Sequence, residues 1–141
     1  MWRLVAPAAL FASLSLGAPA HGAEQTPPAP DSLAGTYEGT MTMMTKGGSE
    51  RDYRYGVEVS RVDAKAGTLS VRTHCPDCKT QDSPWHSCRF GAAPTPVTFV
   101  CKGNGWHQDF VAEGTALKAD CHSIDGRPYF IRVRKAGPKA E

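Results

Sequence analysis

Imidazole, thiol and indole groups have the widest chemical reach in this chain, and they are unevenly spread. Four of the five histidines, all five cysteines and two of the three tryptophans fall between His74 and His122. Imidazole changes charge near neutral pH and ligates metals. Indole offers an apolar wall with a single donor, and thiols bridge, bind metal or carry redox chemistry. The groups recur in steps: Cys78-Lys79 precedes Trp85-His86, and Cys101-Lys102 precedes Trp106-His107.

Cys75-Pro76-Asp77-Cys78 has the spacing of half a zinc site, with His74 and His86 as further donors and Cys88 also within reach. Cys88 and Cys101 form no second knuckle. A copper site would instead combine Met41, Met43 and Met44 with the histidines, since thioether suits Cu(I) and imidazole suits both copper states. Methionines alternating along a strand more ordinarily fill a core. As a redox motif, Cys-x-x-Cys needs a following helix whose N-terminus acidifies the thiol, and Lys79-Thr80-Gln81-Asp82-Ser83-Pro84 is not helical in pattern. No Gly-x-Ser-x-Gly, His-Glu-x-x-His or phosphate-cradling glycine loop occurs. Asp109 or Asp125 beside a histidine could support acid-base work, but no motif organises them. A thiol-redox or hydrolytic enzyme is therefore the weakest of the functional readings.

The elements that must position these groups begin after a leader. Met1-Trp2-Arg3, the apolar run from Leu4 to Leu16 and the exit Gly17-Ala18-Pro19-Ala20 have the layout of a secretory signal peptide. A run of about 13 apolar residues is shorter than the roughly 20 that span a bilayer. Residues 1–20 are thus expected to be removed, leaving no membrane span and a secreted or periplasmic protein. Residues 21–32, with Pro27, Pro28 and Pro30, read as a disordered tether, 33–135 as one domain and 136–141 as a flexible tail. The formal net charge is +2, one less without Arg3, and no long basic run exists, which argues against a nucleic-acid partner.

Outside the cytosol, cysteines are read first as disulfides. Five is odd, so at most two bridges form. Cys88 and Cys101 flank the turn 91–96 and would lie opposite one another on adjacent strands. For the rest, either Cys75 closes on Cys78 or one of that pair reaches Cys121.

Alternating apolar and polar residues, broken by Gly, Pro, Asn and Asp at regular intervals, predict an all-β fold. Strands are expected over 36–45, 53–62, 68–74, 85–90, 97–102, 106–113, 117–124 and 129–134. The turns between them include Asp63 to Gly67, ending in a left-handed glycine, and Asn104-Gly105. About eight short strands in up-and-down order close into a small antiparallel barrel, or fold into a sandwich, to hide one face.

The opening Leu33-Ala34-Gly35-Thr36-Tyr37-Glu38-Gly39 resembles the first strand of lipocalin-like and avidin-like barrels, with Tyr37 where tryptophan is usual. The resemblance implies a barrel whose Gly-x-aromatic step closes one end.

Alternate strand directions bring His74, Trp85, His86, Trp106, His107 and His122 to one rim. This predicts an exported, non-catalytic binding protein with a His/Trp-rich ligand site in the barrel mouth, where such folds place ligands. The ligand is an unknown small molecule or a protein, and no cofactor is expected. The alternative is a copper- or zinc-binding protein using His74, Cys75, Cys78 and His86.

Overall fold

The computed structural model describes residues 29–103 and 105–137. The signal-peptide expectation, most of the tether, the end of the tail and Asn104 lie outside the described residues. Eight antiparallel strands form a closed barrel in which each pairs with the next and the last returns to the first. They are β1 Gly35–Met44, β2 Glu50–Asp63, β3 Thr68–His74, β4 His86–Phe90, β5 Thr98–Gly103, β6 Trp106–Glu113, β7 Ala116–His122 and β8 Pro128–Lys135. The choice between barrel and sandwich is thereby settled by the β1–β8 pairing, from Tyr37↔Lys135 to Met43↔Tyr129.

The interior is filled by the inward residues of every strand, as an eight-stranded barrel of this size requires. Tyr37, Val57, Leu69, Val71, Phe99, Phe110, Leu117, Ile131 and Val133 are all buried. Phe99 and Phe110 are register partners on β5 and β6, with rings stacked at 4.8 Å. Such pairs contribute about 0.5–1.5 kcal/mol beyond the area they bury. The β2–β3 turn ends at Gly67 with φ of 70°, the left-handed conformation that a side chain disfavours.

One end of the barrel is closed. Pro30–Leu33 form a 3-10 turn, so the last residues of the expected tether are not extended. Leu33 plugs the base, and its carbonyl accepts a 2.8 Å hydrogen bond from the buried Tyr37 hydroxyl. Lys135 Nζ donates to the Ser32 carbonyl at 2.7 Å and holds the turn from the other side. Tyr37, two residues after Gly35, is thereby buried beneath the turn at this end.

At the opposite rim, β4 starts one residue later than expected and leaves Trp85 outside it. The cause is the loop 75–84, which folds back on upper β3 and takes the edge that β4 would occupy. His74 bridges Asp82, Ser83 N donates to the Thr73 carbonyl at 2.9 Å, and Thr73 N donates to Ser83 Oγ at 2.8 Å. Pairing of β3 with β4 begins only at Val71↔His86. Likewise β7 stops at His122, and Ile124 lies exposed in a turn closed by Ser123 N and the Arg127 carbonyl.

Two disulfides are present. Cys88 and Cys101 are direct register partners on β4 and β5, with Cα atoms 4.4 Å apart, and Cys75 closes on Cys78 within its own loop. Cys121 is free and buried.

Candidate functional site

All six rim candidates lie at strand ends on the same side of the barrel, but they do not share one pocket. Strand parity divides them. In β4, Cys88 points inward to its bridge, so His86, two residues before it, also points inward. In β6, Gln108 and Phe110 are buried, so Trp106 is the inward member and His107 faces out. The two Trp-His steps therefore point in opposite senses. His86 and Trp106 meet across the mouth, ring centroids 4.8 Å apart at an interplanar angle of 75°. Trp85 is 44% exposed on the outer wall, beneath the Arg72 guanidinium at 4.8 Å. His74, His107 and His122 are exposed on the outer face as well.

Trp106 keeps its inward position because its indole lies flat against Gly103, its register partner on β5; a methyl group there would collide with the ring. Below Trp106 and His86 the interior becomes polar. Gln108, 8% exposed, donates from Nε2 to the Tyr129 hydroxyl at 3.1 Å. The Tyr55 hydroxyl lies beside Thr73 and Gln108. Burial pushes the Tyr55 and Tyr129 phenols above the ordinary tyrosine range. Cys121, beside Tyr129, is raised by burial to about 11 and is a neutral thiol under ordinary conditions.

Thr73, His86, Trp106, Gln108 and Tyr129 line a cavity of about 340 Å³ that opens at the rim, with Thr80, Ser83 and Pro84 of the folded-back loop as its outer lip; Tyr55 lies behind it. Its volume is at the small end of the range for ligand pockets, roughly 300–1,000 Å³. A larger concavity of about 660 Å³ lies on the outer wall across β1, β2 and β3. Apart from Glu38, its charged wall residues are engaged in ion pairs: Arg54 with the adjacent Asp77 at 2.8 Å, Arg72 with Glu58 at 2.8 Å, and His74 with Asp82. The mouth is the stronger candidate because Gln108 and Tyr129 are buried and converge beneath it, whereas the charges of the outer groove are mostly solvated ion pairs.

The sequence-level set omitted Tyr55, Thr73, Gln108 and Tyr129. The available signal was parity: each shares the inward phase of its strand with apolar core residues, which marks a polar group directed into the barrel.

The metal set does not assemble. Cys75 and Cys78 are bonded to one another and offer no thiolate pair, His74 turns outward to Asp82, and His86 turns inward to Trp106. Met41 is buried in the core and Met43 packs against it, the ordinary role for alternating methionines. Among the described residues, no three or more His, Cys, Asp or Glu side chains converge on a metal position. No described helix is long and apolar enough to cross a membrane.

The geometry defines a small disulfide-containing antiparallel β-barrel, closed at its base and open at a mouth with polar groups beneath it. Comparison with protein-family models, curated proteins and solved structures finds no match.

Proposed function

We infer that this chain is an exported, non-catalytic binding protein that holds a small, neutral, partly aromatic molecule in the barrel mouth. The observation that carries this reading is the buried Gln108–Tyr129 hydrogen bond, with Tyr55 and Thr73 beside it, directly below the His86–Trp106 pair. Apolar residues would fill that volume with no polar group to satisfy. A convergent polar floor under aromatic walls is the usual composition of a small-molecule site.

Neutrality follows from the lining. Asp82 at the lip is engaged by His74, and the remaining polar side-chain groups are hydroxyls, an amide, one indole N–H and one imidazole. A cationic ligand would lose its hydration without gaining a free counter-charge, and a neutral one loses least. Binding without chemistry is supported by the state of the sulfur atoms: Cys101 is held in a disulfide, and Cys121 is buried and neutral. The two disulfides and the leader-like first twenty residues together support an oxidising compartment.

A two-dimensional NMR titration with neutral aromatic alcohols and carboxamides tests the reading. Saturable shifts centred on Thr73, His86, Trp106 and Gln108, lost in a His86→Ala/Gln108→Leu protein, are expected. Binding that maps to the outer wall, or no shift at millimolar ligand, overturns it.

A further inference from the structure

The outward histidines left over by the mouth have an arrangement of their own. His107 on β6 and His122 on β7 are direct register partners on antiparallel strands, and both point away from the core. Side chains directly opposite on such strands have Cβ atoms about 4.5–5.5 Å apart. That spacing lets two imidazoles swing onto one ion at metal–nitrogen distances of roughly 2.0–2.1 Å. Both border an open concavity of about 440 Å³ shared with Lys102 and Ser123, which leaves room for water at the other coordination positions.

A second feature concerns the ring of His107. Its Nε2 is 3.1 Å from Asp109 Oδ2, two residues along the same outer face. Metal-bound histidines commonly donate their second ring N–H to a carboxylate, which fixes the tautomer and raises the basicity of the ligating nitrogen. Asp109 thus leaves Nδ1 of His107 as the coordinating atom. The neighbouring carboxylate Asp120 is taken up by Arg132 at 3.1 Å, so the first coordination sphere rests on the two imidazoles and water.

We propose that His107 and His122 form a cross-strand chelate for a borderline divalent transition ion on the outer wall, with Asp109 as the positioning residue. By the general order of stability for nitrogen ligands, Cu²⁺ binds more tightly than Ni²⁺ or Zn²⁺. Lys102, the register partner of His107 on its other side, opposes a bound cation and sets an upper limit on affinity. The two histidines face away from the mouth, which the concavity adjoins through Trp106 and Gly103, and the site shares no residue with the Cys75–Cys78 loop.

The test is titration of the untagged chain with Cu²⁺ alone, read by calorimetry and by paramagnetic broadening of amide signals. One equivalent is expected, with broadening centred on β6 and β7 around residues 107 and 122. His107→Ala and His122→Ala each weaken binding at least ten-fold, Asp109→Asn weakens it about ten-fold or more, and Lys102→Ala strengthens it. His21→Ala, His74→Ala and His86→Ala leave it unchanged. Because the paired residues are exposed, their variants keep the parent's thermal unfolding, and His122→Gln supplies an isosteric control. Absence of Cu²⁺ binding, broadening centred elsewhere, or unaltered affinity in the His122 variants overturns the proposal.

Discussion

Gln108 and Tyr129 meet inside the barrel, amide nitrogen to phenol oxygen at 3.1 Å, although their strands β6 and β8 are separated by β7. The contact passes over the inner face of β7 and joins the two strands that flank it at the floor of the mouth. Gln108→Leu takes the amide donor from the Tyr129 hydroxyl at the floor of the mouth, which costs about 1–3 kcal/mol. Adding Tyr129→Phe removes that hydroxyl and recovers part of the loss. Urea unfolding of the two single variants and the double variant should give a coupling of about 1 kcal/mol; strict additivity would show that the bond contributes nothing.

Cys121 supplies a second expectation. Native protein should resist thiol-specific reagents at pH 8, and unfolding without reductant should release one reactive thiol per chain. Burial raises the folded-state value to about 11, so the sign of the pH dependence is fixed. The neutral thiol favours the fold at low and neutral pH. Its contribution fades as pH climbs above the ordinary thiol value and through about 11. A Cys121→Ala protein should lose less stability between pH 8 and pH 11 than the parent.

The two disulfides should differ in weight. Cys88–Cys101 closes a loop with a sequence separation of 13, and Cys75–Cys78 one of 3. Chain-entropy reasoning assigns about 3 kcal/mol to the first and about 2 kcal/mol to the second. Paired alanine substitutions followed by thermal unfolding measure both, and the reverse ranking would contradict the assignment.

The cysteine loop is tied to β2 through Asp77. Its carboxylate accepts from Arg54 N at 2.9 Å and from the Arg54 guanidinium at 2.8 Å, which lowers it from an ordinary value near 3.8 to about 2. A depressed carboxylate favours the folded state above its unfolded value and loses that effect as pH falls through the folded one. Loop amide shifts should therefore hold to about pH 3 and move as pH approaches 2. In Asp77→Asn they should already differ from the parent at pH 7.

Gly103 tests the geometry of the mouth itself. Gly103→Val should displace the Trp106 indole from its seat on β5, separate it from His86 and abolish ligand-induced shifts at the mouth, while β1–β3 signals remain in place.

Much of the architecture was legible in the residue pattern. Alternation and turn chemistry located eight strands in order, because period-two burial leaves a direct trace in sequence. The opposition of Cys88 and Cys101 could be anticipated from the short turn between them. The ends of elements were less legible: Trp85 has the composition of a strand residue, yet loop 75–84 competes for the same edge of β3, and no local rule weighs that competition.

By itself, then, the sequence determined an all-β chain whose aromatic and imidazole groups collect at one rim, since strand direction alone carries them there. Tertiary structure decided which of them look inward. Parity in β4 and β6 is set by what the core accepts at Cys88 and Phe110, so one Trp-His step sends its histidine into the mouth and the other its tryptophan. The polar floor was also decided only by closure. Tyr55 of β2 is far in the chain from Gln108 of β6 and Tyr129 of β8, and it comes beside Gln108 because a closed barrel brings every inward face to one axis.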